Sequence, residues 1–195
     1  MAGLALFGLG IALLLDAELG AAPWDVFHTG ISERTGWPVG TIISVTGVAL
    51  FILWIPPREQ PGLGTILNAF AIGIFVDVFL PVLPNPELLL PRIVMMIAGV
   101  VVIGAGSGLY IGAGLGPGPR DGLMTGLARK GISIRLARTG IELIVMLAGI
   151  ALGGSIGIGT AVFALGIGPM VQIFLPRLSM REAPLATSVD VPVTS

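Results

Sequence analysis

The chain repeats itself, and the repeated unit is sequence suited to crossing a lipid bilayer. Gly-Ala-Ala-Pro-Trp-Asp-Val-Phe-His-Thr-Gly at 20–30 returns as Gly-Pro-Gly-Pro-Arg-Asp-Gly-Leu-Met-Thr-Gly at 116–126. Between 8–34 and 104–130, 10 of 27 positions are identical, among them Gly20/Gly116, Pro23/Pro119, Asp25/Asp121, Thr29/Thr125 and Gly30/Gly126. A second block, 62–81 against 157–176, matches at 10 of 20 positions, including Gly62/Gly157, Gly64/Gly159, Thr65/Thr160, Gly73/Gly168 and Pro81/Pro176. The offset falls from 96 to 95 between the blocks, so one residue was lost in a connection. A duplicated apolar unit is a recurrent way to build a permeation path about a pseudo-twofold axis.

Lipid is the expected solvent. Apolar residues make up 54% of the chain and charged ones 11%, with 30 glycines, whereas a soluble domain carries about a quarter charged residues. No core of this size could hide so many apolar side chains from water. The absence of cysteine excludes disulfides and thiolate metal or redox chemistry. A span needs about 20 mostly apolar residues, and six segments qualify: 2–20, 38–56, 65–83, 92–115, 135–153 and 160–177. Pro56-Pro57, Pro84-Asn85-Pro86 and Pro91 punctuate the connections. The first span lacks counterparts of Arg92 to Met96 in the fourth, so an upstream start encoding them is expected. Two further segments, 22–35 and 118–131, are too short and polar to span. Each is expected to be a short helix entered through Pro-x-Asp, either lying on the surface or re-entering the membrane, which is allowed only where protein or water satisfies the backbone.

Six spans put Arg58, Arg120, Arg129, Lys130, Arg135, Arg138, Arg177 and Arg181 on one side and Arg34 and Arg92 on the other. That asymmetry places the first side and both termini in the cytoplasm of a plasma membrane. Three spans per copy is an odd number, so the copies must be inverted. The expected fold is therefore an all-α integral membrane protein of about six transmembrane helices arranged as two inverted three-helix repeats. Each repeat carries one of the short helices. Repeat 1 covers 1–84, repeat 2 covers 91–178, and 179–195 reads as a disordered cytoplasmic tail.

Four segments carry a likeness to a known family: Gly-Ala-Ala-Pro-Trp-Asp-Val-Phe-His-Thr-Gly-Ile-Ser at 20–32, Pro-Gly-Leu-Gly-Thr-Ile-Leu-Asn-Ala at 61–69, Leu-Gly-Pro-Gly-Pro-Arg-Asp-Gly-Leu-Met at 115–124 and Arg-Thr-Gly-Ile-Glu-Leu at 138–143. They resemble the YczE branch of the YitT-type bacterial membrane proteins, over 2–178. The resemblance implies a polytopic plasma-membrane protein and brings no activity with it. Asp16 and Glu18 depart from it, standing where neutral or basic residues are expected.

Asp25 and Asp121 lead the candidate site residues, each two residues after proline with Thr29 or Thr125 one turn later on the same face. Paired half-helix N-termini could present N–H groups, a carboxylate and a hydroxyl to a small solute or coupling ion. The plainer reading, that the aspartates cap their helices, carries slightly more weight. Arg120, opposite Trp24 in the repeat, could accept a carboxylate or simply obey the positive-inside rule. Asn68, Asp77 and Glu142 fall inside spans, where lone polar groups face a partner or a wet cavity. Glu142 has Arg138 one turn earlier, Gln172 takes the place of Asp77, and Phe163 that of Asn68. Glycines at 104, 108, 112 and 116, and at 149, 153 and 157, form close-packing faces that would also serve homo-oligomerisation.

With His28 the sole histidine, no paired-histidine metal or haem site is possible, and Gly-x-Gly-Asp and Gly-x-Gly-x-x-Gly are absent. No catalytic residue, metal, cofactor or nucleic-acid partner is expected. The expected partners are the bilayer and a small solute. The leading functional expectation is a small-solute permease, not an enzyme, and the rival is a non-transporting membrane accessory that assembles or matures another protein.

Overall fold

A computed structural model describes residues 1–55 and 61–179. Eight α-helices and one 3-10 turn account for the described structure: α1 Ala2–Asp16, α2 Pro23–Thr35, α3 Val39–Trp54, α4 Leu63–Phe79 continuing into the turn Leu80–Val82, α5 Leu89–Gly112, α6 Pro119–Arg129, α7 Ile134–Leu152 and α8 Ile158–Leu178. The expected short helices are α2 and α6. Each starts with proline at its first position, where the missing N–H costs nothing. Pro56-Pro57, Arg58, Arg181 and all of the expected tail except Ser179 lie outside the described residues.

Large apolar side chains crowd the surface as well as the core, and a few polar ones are buried. Asp25 and His28 are 1% and 0% exposed, while Leu165, Ile144 and Ile52 are 80%, 68% and 67% exposed. Exposed apolar surface on that scale suits a lipid surround. Leu63–Val82, Leu89–Gly112 and Ile158–Leu178 are each long and apolar enough to cross a membrane, and α2 with α3, bent by 116°, qualifies as one broken span. Two of the six expected spans fall short on these measures: α1 has 15 residues, and α7 carries Arg135, Arg138 and Glu142.

Glycine sets the packing. Gly3 faces Gly106 and Tyr110, and seven residues on Gly10 faces Gly99 and Ile103, so α1 and α5 cross antiparallel with their backbones in contact. The expected stripe on α5 lies along α8 instead: Gly104, Gly108 and Gly112 meet Met170, Phe174 and Ser179 in turn, so these two helices run parallel. Gly149 and Gly157 are likewise taken up within the chain, against Phe27 and Leu19.

The duplicated motifs contact each other's halves. The Gly64 N–H donates to the Leu115 carbonyl at 2.8 Å, and its repeat counterpart, the Gly159 N–H, donates to the Leu19 carbonyl at 2.7 Å. Beside them Gly116 and Gly20 adopt φ of 117° and 109°, open only to glycine at low cost. The helix pairings recur in the two halves. α2 packs on α7 and α6 on α3, while α1 packs on α4 and α5 on α8. The longest pairing within a repeat that goes unmatched is that of α3 with α4. α3 and α4 lie together along their length, but their counterparts α7 and α8 scarcely touch.

Candidate functional site

The two short helices bring their N-termini into the interior. Pro23, Trp24, Asp25, Val26 and His28 of α2 are buried, as are Pro119, Gly122, Leu123 and Met124 of α6. Neither helix lies on the surface. Trp24 and Arg120 hold the same position in the two copies, and they meet: the Arg120 guanidinium carbon stands 4.7 Å from the centroid of the Trp24 ring. α6 is fixed there by Trp54 of α3, whose Nε1–H donates to the Pro119 carbonyl at 2.9 Å and whose ring fills the space a side chain at Gly122 would need.

Arg120 forms part of the wall of two small cavities. One, of about 120 Å³, is lined by Trp24, Asp25, Ser107, Arg138 and Glu142 among apolar side chains. The other, of about 70 Å³, is lined by Asn68, Tyr110 and Asp121. Asp25, Asp121, Asn68, Arg120 and Glu142 are thus gathered around one junction. The threonines are not. Thr29 donates to the carbonyls of Asp25 and Val26, and Thr125 to that of Gly122, so both hydroxyl protons bond their own helices. Thr29 instead lines a wider recess of about 720 Å³ with Asp16, Glu18, Glu33 and Asn85.

The carboxylates do not cap their helices, the plainer account of them. Among the described residues neither accepts a backbone N–H. Asp25 Oδ1 lies 3.1 Å from His28 Nδ1, and Asp121 Oδ2 accepts from the Tyr110 hydroxyl at 2.9 Å. Arg138 Nε donates to Glu142 Oε1 at 3.0 Å, one turn along α7. Asp77 does cap a helix, but a neighbouring one. It takes the Gly40 N–H at 2.6 Å and the Thr41 hydroxyl at 3.0 Å, closing the start of α3. Asp16 accepts from the Asn85 N–H, and Glu18 bonds Arg92, which gives both departures from the family pattern a role in the loop that follows α1.

Over residues 1–176 the chain matches a family described as a family of unknown function, DUF6198. The chain belongs to the DUF6198 family. Among similar sequences is the "Uncharacterized membrane protein YczE" of Bacillus subtilis, 36% identical over 179 residues, covering 90% of this chain and 83% of the relative. An "Uncharacterized protein" of Haemophilus influenzae is 37% identical over 173 residues, covering 88% and 79%. "Uncharacterized protein YyaS" of B. subtilis is 30% identical over 181 residues, covering 89% of each. No solved structure matches. Membership of the DUF6198 family agrees with the resemblance read from the motifs, and with the exposed apolar helices it establishes a membrane protein of the YczE type.

Sequence reasoning missed Tyr110, Trp54 and His28 as parts of this DUF6198 site. Tyr110 left a usable signal, as the sole tyrosine in the chain and the counterpart of Leu14. Trp54 left none, because it lies outside either repeated block and its bond to Pro119 spans 65 residues.

Proposed function

We propose that the protein is a small-solute permease of the bacterial plasma membrane, built from two inverted repeats that each cross three times, with both termini in the cytoplasm. The observation that carries this reading is the stacking of Trp24 on Arg120, repeat-equivalent residues that meet where two small cavities, each with a few polar groups in an apolar wall, share Arg120. Half-helices whose N-termini converge inside a membrane protein suit solute binding, because their unpaired N–H groups and dipoles face the ligand. The antiparallel crossing of α1 with α5 supports inversion, since corresponding helices of inverted copies run in opposite senses. The parallel course of α5 and α8 agrees, because α8 ends on the side where α5 ends. The two cations assigned to the outer side have local reasons to be there. Arg34 donates to the Leu152 and Ala151 carbonyls and Arg92 to those of Ala17 and Glu18, each at the carboxyl end of a helix.

Unequal seams supply the moving part. α3 and α4 are closed on each other, with Gly73 pressed against Gly40, whereas Gly168, the counterpart of Gly73, has nothing within 4 Å. Exchange of the open and closed states between the two seams would expose the junction alternately to the two sides. The rival reading, an accessory that receives a helix of another protein, draws on the same open seam.

The test is reconstitution into liposomes and a screen for solute uptake, repeated with Asp25→Asn and Asp121→Asn. Uptake lost in both variants supports the reading. Uptake unchanged in both removes the carboxylates from the mechanism, and uptake of nothing favours the accessory.

A further inference from the structure

Charge and hydrogen bonding at the junction specify what kind of solute fits. Arg120 offers five N–H donors, and among the described residues none donates to a protein acceptor; the guanidinium lies over the Trp24 ring, with Asp25, Asp121 and Glu142 near enough to act on its charge. The Trp24 Nε1–H is also buried without an acceptor. These are unused donors beside a cavity, and they call for an oxyanion, which a guanidinium grips in a planar fork. An anion alone nevertheless fits poorly. Asp25, Asp121 and Glu142 carry three negative charges around Arg120 and Arg138, leaving the cluster one negative charge in excess with His28 neutral. Each of these carboxylates accepts one hydrogen bond and keeps a second oxygen free. A lone cation fits no better, since it would leave the guanidinium unmatched in a low-dielectric interior.

We propose that the larger cavity binds a small zwitterion, its carboxylate on Arg120 and its ammonium on the free oxygen of Asp25. That ligand fills both deficits and adds no net charge. The cavity of about 120 Å³ admits a molecule of only a few heavy atoms, the size of glycine or alanine. The Trp24 face completes the site by holding the guanidinium in place at the cavity wall. The proposal rests on the permease reading for its claim that this zwitterion is the transported solute; binding itself does not.

The experiment measures binding apart from transport. Purified protein in detergent is heated with glycine, alanine, acetate or methylammonium at constant ionic strength, since a ligand that binds only the folded state raises the melting midpoint. Glycine and alanine are expected to raise it, and acetate and methylammonium at equal concentration to leave it unmoved. Arg120→Lys keeps the charge and removes the fork, and its affinity for glycine is expected to fall at least tenfold. Asp25→Asn is expected to do the same, and Arg120→Lys carries the test if the buried Asp25 variant fails to fold. A midpoint unmoved by either zwitterion overturns the proposal, as does acetate acting as strongly as glycine, or wild-type glycine affinity in Arg120→Lys. Glycine binding without uptake of glycine or any other solute would leave the site standing and sink the permease. Uptake of another solute without glycine binding would do the reverse.

Discussion

Gly73 and Gly168 occupy the same repeat position, and their substitution by alanine should have opposite consequences. A Cβ at Gly73 would sit 2.1 Å from the Gly40 carbonyl oxygen and 2.2 Å from Ser44 Oγ, more than an ångström short of ordinary contact. The nearer atom is backbone, so α3 must move off α4. Overpacking of this kind costs about 1–3 kcal/mol. The movement also stretches the 2.6 Å bond from the Gly40 N–H to Asp77, and hydrogen bonds to charged groups contribute about 1.5–3 kcal/mol. Gly73→Ala should therefore destabilise by about 3–5 kcal/mol. At Gly168 nothing lies within 4 Å. Alanine there gains up to about 1 kcal/mol of helix propensity, offset by crowding against Pro169, which disfavours helical geometry in a preceding residue that bears a Cβ. The net change should stay within about 1 kcal/mol of zero. Titration with SDS in mixed micelles, followed by tryptophan fluorescence, measures both. If the α7–α8 seam closes during transport as α3–α4 is closed here, Gly168→Ala should leave the resting protein intact and still slow uptake at least tenfold. Equal destabilisation by the two substitutions would refute the difference between the seams. Undiminished uptake in Gly168→Ala would refute its closure.

Asp77→Asn keeps the shape at the start of α3 and weakens two hydrogen bonds to a charged acceptor; the same titration should show a loss of about 1–3 kcal/mol. Trp54→Phe leaves the buried Pro119 carbonyl without its donor and should cost about 1–3 kcal/mol. Arg34→Gln should cost about 1 kcal/mol through the freed carbonyls at the end of α7. Because the chain has no cysteine, Trp37→Cys and Lys130→Cys give unique labels in the loops after α2 and α6. An impermeant maleimide applied to intact cells should reach position 37 and not position 130, and labelling of both would defeat the inversion.

Much of this was legible in the sequence because it was written twice. The identities Leu19/Leu115, Gly20/Gly116, Gly64/Gly159 and Thr65/Thr160 mark the reciprocal contacts between the halves, where backbone meets backbone and only small residues fit. Pro-x-Asp located α2 and α6 to within a residue or two. Apart from Arg138 and Glu142, one turn apart on α7, partners were not legible. A carboxylate in a first turn looks like a cap, and only tertiary geometry gives Asp25 to His28 and Asp121 to Tyr110. Arg34 and Arg92 counted against the charge rule in the sequence; the carbonyls that hold them lie 117–118 and 74–75 residues away. The α7–α8 seam could not be foreseen at all. Gly168 repeats Gly73 in the sequence, yet nothing there tells that its face is left unfilled.

The proposed inverted-repeat arrangement accounts for positions where the copies disagree. In it a residue near the twofold axis meets its own counterpart, so two identical halves would set tryptophan on tryptophan or arginine against arginine. The second arrangement brings like charges together inside a low-dielectric interior and is strongly unfavourable. Fusing the halves into one chain lets the two positions diverge, and Trp24 with Arg120 is a complementary solution, a cation on a ring face contributing about 2 kcal/mol when desolvated. The same logic extends outward. Tyr110 replaces Leu14 and gives Asp121 a donor, while Asp25 takes His28 from its own helix. Asn68 replaces Phe163 and makes one cavity wall polar where the other is aromatic. Conserved identity between the copies thus maps the scaffold and divergence maps the chemistry, so restoring symmetry by Trp24→Arg should leave the glycine contacts untouched and abolish the junction.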